Sequence, residues 1–252
     1  ARQRDSWEVP DVDALFVFLV KAFSNSDVFV KVPNFDTIPS CCCFELKQRL
    51  PAGAPAIVTQ HDFDVSWECL TEGLLRFLDW NNVLAAGGAV AGCLTPLPKH
   101  VTEGGISATR VQRRKYFHDE FLPGSDIDLF LYGLDQEAAE AKLLEIYNSV
   151  QAACPYEIRC FRSAHAMTLV SVYPFRHVQI VLRLYNSPSE VLMGFDVDAC
   201  AAGYDGKDVY MCPRTALALI TQTNPICMSR RSPSYEMRLP KHANPGFELL
   251  LS

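Results

Sequence analysis

The sequence predicts an α+β fold, a mixed β-sheet flanked by helices, on three observations. The turn Gly124-Ser125 feeds a run, 126–132, in which two acids give way to continuous apolar residues, as in a strand entering a core. Residues 136–153 follow as a helix that Asp135 is placed to cap. The stretches 156–163, 166–173 and 177–185 are rich in β-branched and aromatic side chains and are separated by short turns, so the helix is followed by three further strands.

The other elements are read in chain order. Residues 11–23 suit a buried helix with an aspartate near its start, and the alternating valines of 28–32 suit a strand. Residues 33–53 form a proline- and cysteine-rich connection around a short helix at 44–50. Between 65 and 80, Trp67, Leu70, Leu74, Leu75 and Leu78 recur at helical spacing, which makes Trp67 and Trp80 core residues. The segment 82–93 runs from an apolar strand or helix end through a tight turn at Gly87-Gly88 into a helix start.

Residues 95–123 contain prolines, a Gly104-Gly105 pair and the cluster Arg110, Arg113, Arg114 and Lys115, and read as a long, partly mobile insertion. Beyond the strands, 188–193 is helical, 194–200 extended and 201–206 a turn. Residues 213–221 make a helix with Ala216, Leu217 and Ile220 facing inward. The tail from Asn224 is dense in prolines and cations and is expected to be irregular. This divides the chain into an N-terminal segment at 1–81, a core at 82–200 that holds the insertion, and a C-terminal helix and basic tail at 201–252.

Composition bounds the function classes. With 252 residues, 49% of them apolar, the chain is long enough for a substantial core. A net charge of -6 argues against broad adhesion to nucleic acid or anionic membrane. The 10 cysteines show no paired C-x-x-C spacing, and three of them are consecutive at Cys41, Cys42 and Cys43, so the expectation is a reducing, intracellular compartment without structural zinc. No apolar stretch near the start is long enough to span a bilayer. The first residue is alanine, which leaves open a processed chain or a piece of a larger multidomain one.

The chemistry concentrates at two turns. Asp126 and Asp128 alternate on a strand and therefore project to one side, where a hard cation takes two oxygen ligands. Backbone N–H groups at the Gly87-Gly88 and Gly124-Ser125 turns are suited to cradling phosphates that share such a cation. Ala86-Gly87-Gly88-Ala89-Val90 and Ser125-Asp126-Ile127-Asp128-Leu129 together resemble the polymerase-β-like nucleotidyltransferase superfamily. The spacer between the two halves is longer than the superfamily's usual one, and Ala91-Gly92 stands where the CCA-adding branch has Arg-Asp.

The resemblance implies a nucleoside triphosphate held at Gly87, Gly88, Gly124 and Ser125, and Mg²⁺ or Mn²⁺ held by Asp126 and Asp128. A third acid on a neighbouring strand is implied as well. Gln179 stands at the place expected for that acid, with Asp196 or Asp198 as the alternative source. The implied activity is nucleotidyl transfer to RNA, a small molecule or a protein. A catalytically silent nucleotide-binding relative and a plain interaction module are the competing readings.

Arg113, Arg114, Lys115 and Lys207 are candidates for phosphate contact, each weighed against a solvated surface role. His61 and His118 read as caps or surface residues, and His165 and His177 as structural. There is no G-x-S-x-G elbow, Walker A lysine or dinucleotide fingerprint, which removes the commonest hydrolase, ATPase and dehydrogenase readings.

Overall fold

The computed structural model of the chain describes residues 20–23, 42–44, 50–102, 109–243 and 247–251. The predicted strand at 28–32 lies outside these residues, as do 11–19 of the first predicted helix. Its visible end is a strand, β1 (Val20–Lys21), and Phe44 closes another, β2 (Cys42–Phe44), instead of opening a helix.

The strands that build the centre are β3 (Val83–Ala86), β4 (Ile127–Tyr132), β5 (Arg159–Arg162), β6 (Ala166–Val170), β7 (Val178–Tyr185), β8 (Ala202–Tyr204) and β9 (Val209–Met211). They form one mixed eight-stranded sheet in the order β1-β9-β8-β3-β4-β7-β6-β5. Only β4 and β7 pair in parallel within it; the other neighbours are antiparallel. A parallel pair needs a crossover, and the path from β4 to β7 runs through a helix at Gln136–Ala153 and the β5–β6 hairpin. Asp135 caps that helix as predicted, its side chain accepting from Ala138 N at 2.9 Å. Ala139, Ile146, Val150 and Ala153 bury one helical stripe against the sheet.

One face of the sheet carries the larger core. Ile127, Leu129 and Leu131 of β4, Val83 and Ala85 of β3, and Val178 and Ile180 of β7 pack there with Phe63, Leu70, Val90 and Phe117. The alternate side chains Leu84, Ala86 and Phe130 meet Val191, Leu192, Ala201 and Cys212 on the opposite face. Covering both faces in this way makes β3 apolar throughout and β4 apolar except at Asp128, which is what their sequences show.

Several predicted bounds are corrected. The helix placed at 65–80 spans Gln60–Thr71, capped by the Thr59 side chain, and stops because Glu72 and Gly73 take positive φ (51° and 70°). Trp67 and Trp80 nevertheless pack into the core, both edge-on to Tyr204. The strand expected at 166–173 ends at Val170, and a turn in which Phe175 N donates to Val172 O leads on to β7. Residues 198–200, expected to be extended, form a 3₁₀ turn, and 202–204, expected to be a turn, are β8. The helix Pro213–Thr221 buries Thr215, Ala218 and Leu219, leaving Leu217 59% exposed, so its predicted inward face is rotated.

Two larger corrections concern the insertion and the tail. Within 95–123 the described residues are helical at Lys99–Thr102 and Arg110–Lys115 and then form a π-helix at Tyr116–Phe121. The tail from Asn224 contains β10 (Thr223–Ile226), a helix at Tyr235–Ala243 and β11 (Glu248–Leu251). β10, β11 and β2 make a second, three-stranded sheet. Tyr235, fully buried, holds the tail helix to the end of β10 by accepting from Cys227 N at 3.0 Å, and with Leu249 it packs against Val197 and Cys200 of the body. The sheet containing β3 and β4 therefore continues well past residue 200. Among the described residues, no helix is long and apolar enough to cross a membrane.

Candidate functional site

The site begins where β3 ends. Gly87 takes φ 101°, a conformation open to glycine, and its N–H donates to Ala202 O at 3.0 Å. The helix Gly88–Leu94 starts at once and buries nearly every residue, so its small side chains serve close packing: a Cβ on Gly92 would lie 2.8 Å from the Phe121 ring. Antiparallel pairing of β3 with β4, with Ala85 opposite Leu129, brings the Gly87 turn to the start of β4 despite the long segment between them. A Cβ built on Gly87 would stand 3.7 Å from Asp128 Oδ2 and 3.3 Å from Phe195. The glycine thus sits against both that carboxylate and the Phe195 ring, where a side chain would crowd them.

β4 and β7 bring four polar side chains together. Ile127 N donates to His177 O at 2.9 Å, which starts the parallel pair, and the register sets Asp128 opposite Gln179. Asp126 and His177 each sit one residue ahead of their strand, and side chains two apart in extended chain share a face, so Asp126 and Asp128 lie beside His177 and Gln179. Asp126 Oδ1 is 3.7 Å from His177 Nδ1, which gives His177 a place at the site that its sequence context did not suggest. Gln179 Nε2 reaches Thr168 Oγ1 of β6 at 3.5 Å.

Gly124 and Ser125 form the turn ahead of Asp126, with Gly124 at φ 66° and Ser125 N donating to Leu122 O. Arg176 fixes this turn from below. Its buried guanidinium donates to Ser125 O (2.6 Å), Leu122 O (2.9 Å) and Phe117 O (2.7 Å), and so collects the carbonyls at the end of the π-helix. Burial holds the Arg176 pKa below its ordinary value.

The alternative third acids are occupied elsewhere. Asp198 Oδ1 accepts from Arg214 at 2.7 Å and from Arg230 at 2.8 Å, and Asp196 is buried in an ion pair with Arg238. Among the described residues, no three His, Cys, Asp or Glu side chains converge as a metal set. Asp126 and Asp128 remain a fit for hydrated Mg²⁺, which commonly uses one or two carboxylates together with substrate phosphates.

The basic cluster does not serve the site. Arg113 is buried and donates to Ser66 Oγ at 2.8 Å, and Arg114 makes a forked pair with the buried Glu72, which also receives Arg110. Lys115 and Lys207 are exposed. Burial raises the Glu72 pKa, but hydrogen bonds from Arg114 and Arg110 outweigh it and leave the carboxyl below its usual value.

His118, expected to be a cap or a surface residue, has a buried side chain 3.9 Å from Glu72, and Tyr173 packs edge-on against its ring. Burial, reinforced by the charge on Arg176, lowers its pKa from the ordinary 6.5. The unfolded chain therefore takes up a proton that the folded chain refuses, and stability is lost as pH falls from about 6.5 through the folded value. The His118→Gln variant is expected to flatten that part of a plot of denaturation midpoint against pH, and an unchanged slope would show that His118 does not set it.

Over 168 residues, 61% of the chain, the sequence is 32% identical to an uncharacterized protein of Acanthamoeba polyphaga mimivirus, and it spans 36% of that protein's length. A family model, described as Gabija anti-defense 2 family protein, matches residues 53–222, a stretch that contains both turns, β3 to β9 and the helix after them. The chain belongs to the Gabija anti-defense 2 family.

Proposed function

We propose that this chain is a metal-dependent nucleotidyltransferase that moves a nucleotidyl group from a nucleoside triphosphate to an acceptor. The carrying observation is the placement of the Asp128 carboxylate beside the side-chain-free Gly87 turn, with Asp126 one residue ahead of β4 and two from Asp128. Of the two turns, Gly88 N and Gly124 N are the N–H groups left to meet phosphates, because Gly87 N donates to Ala202 O and Ser125 N to Leu122 O, and Asp126 and Asp128 would hold a divalent cation, which supplies charge neutralisation to them. An acceptor hydroxyl oxygen bonds to the α-phosphorus as the α–β bridging bond breaks, and pyrophosphate leaves with the electron pair. The hydroxyl proton passes to solvent, because the amide of Gln179 cannot take it.

The reading also keeps the chain inside the cell, in line with the free thiols of Cys69, Cys93, Cys154, Cys200 and Cys212 in its interior. Its family is named for action against Gabija defence, and covalent nucleotidyl modification is the route that this site suggests for such an action.

Gln179 opposite Asp128, together with the engagement of Asp196 and Asp198 by arginines, favours one second reading, a nucleotide-binding relative that has lost turnover. Pyrophosphate release from each ribonucleoside triphosphate, with Mg²⁺ or Mn²⁺, separates the two. Release that vanishes in the Asp126→Ala, Asp128→Ala double variant supports the transferase. Calorimetric nucleotide binding without release supports the silent relative, and neither binding nor release removes both.

A further inference from the structure

Beyond Gln179 the sheet face that carries Asp126 and Asp128 is open. In register across β7, β6 and β5, Gln179 stands opposite Thr168 and Thr168 opposite Phe161; one row away, Val170 stands opposite Arg159. Residues paired in this way share a face, so two short rows lead outward from the carboxylates. One runs Asp128, Gln179, Thr168, Phe161, and the other runs Asp126, His177, Val170, Arg159. Phe161 is 60% exposed, and all four residues of β5 are exposed. Among the described residues, Phe161 has no ring partner and Arg159 no ion pair.

An exposed aromatic ring beside a cation without a partner is the pairing that binds single-stranded nucleic acid, where a base stacks and a phosphate is neutralised. Three strand spacings separate Asp128 from Phe161, about 14 Å. An acceptor that reached both would therefore be extended, with planar groups spaced along a charged backbone. The acidic chain as a whole repels polyanions, which confines such binding to this face.

We infer that the open face of β5, β6 and β7 is the acceptor surface, that the acceptor is a single-stranded nucleic acid, and that Phe161 stacks one of its bases while Arg159 pairs with the neighbouring phosphate. The inference rests on the transferase reading but fails separately from it. The test is fluorescence anisotropy of labelled single-stranded RNA and DNA oligonucleotides with the full chain and with the Phe161→Ala and Arg159→Gln variants, each checked for native circular dichroism. Calorimetric triphosphate binding and pyrophosphate release without oligonucleotide are measured alongside.

Phe161→Ala removes the stacking of one base and is expected to weaken oligonucleotide binding by roughly 5-fold to 100-fold while triphosphate binding stays the same. Arg159→Gln is expected to weaken it and to reduce its salt dependence. Oligonucleotide binding that is absent, or indifferent to both variants, overturns the inference even where triphosphate binding and pyrophosphate release persist, and that result leaves the transferase reading standing. Displacement of bound oligonucleotide by double-stranded DNA as readily as by single strands also overturns it, because a duplex hides its bases from Phe161. Loss of triphosphate binding as well removes both readings.

Discussion

Gln179→Asp is expected to raise Mg²⁺-dependent pyrophosphate release by about 10²-fold or more, the lower end of what a positioned general base contributes. The substitution shortens the side chain by one carbon and puts a carboxylate on β7 in register with Asp128. There it can accept the hydroxyl proton that the native amide cannot. Three carboxylates also repel one another, so the same variant is expected to lose thermal stability without a divalent cation and to regain it when one is added. Rates compared at saturating triphosphate, with Asp126→Ala in the same background as the control, check the first part. A rate unchanged from the native protein would mean that position 179 does not face the reacting atoms.

Arg176→Met is expected to destabilise the fold by about 3–5 kcal/mol, through the loss of hydrogen bonds from a buried charged donor, each contributing roughly 1.5–3 kcal/mol. Methionine keeps roughly the length and the apolar packing but removes that donor from the carbonyls of Phe117, Leu122 and Ser125, of which Phe117 O and Leu122 O keep backbone partners in Leu122 N and Ser125 N. At roughly 2–4 °C per kcal/mol for a chain of this size, the melting temperature should fall by about 10 °C. Arg176→Lys is expected to recover only part of the loss, because a compact ammonium lacks the planar fork whose two nitrogens reach these carbonyls. A melting temperature within 2 °C of native for Arg176→Met, on the scale just given, would show that the turn before Asp126 is held by other contacts.

What could be read from the sequence was local. The two glycine turns, the alternation at Asp126 and Asp128, and the capped helix behind Asp135 depend on neighbours a few residues away, and the structure has them at those residues. The resemblance points to Gln179 as the residue standing where a third acid is implied, and the register between β4 and β7 sets it opposite Asp128.

What could not be read depended on distant partners. Ala202-Gly203-Tyr204 has poor strand propensity, yet Gly203 is required in β8 because a Cβ there would stand 2.9 Å from Leu84. The arginines of the insertion read as a solvated patch because their partner, Glu72, lies far off in sequence and is buried by a turn with left-handed backbone. β10 pairs with β11 across the helix at Tyr235–Ala243, and nothing local in a proline-rich tail signals such a pairing. His177 was missed because a lone histidine before a strand gains meaning only from the strand that runs beside it.

The order of the central sheet also limits how the chain can be shortened. β3, whose turn opens the candidate site, has β4 on one side and β8 on the other, and β8 is in turn flanked by β9, so half of its hydrogen-bonding ladder is supplied by residues 202–211. Cutting at residue 200 would turn an interior strand into a bare edge and free Gly87 N from Ala202 O. A protease that nicks between β7 and β8 should therefore release no autonomous fragment carrying the glycine turn, and the site and its distal strands should resist or succumb to digestion as one cooperative unit.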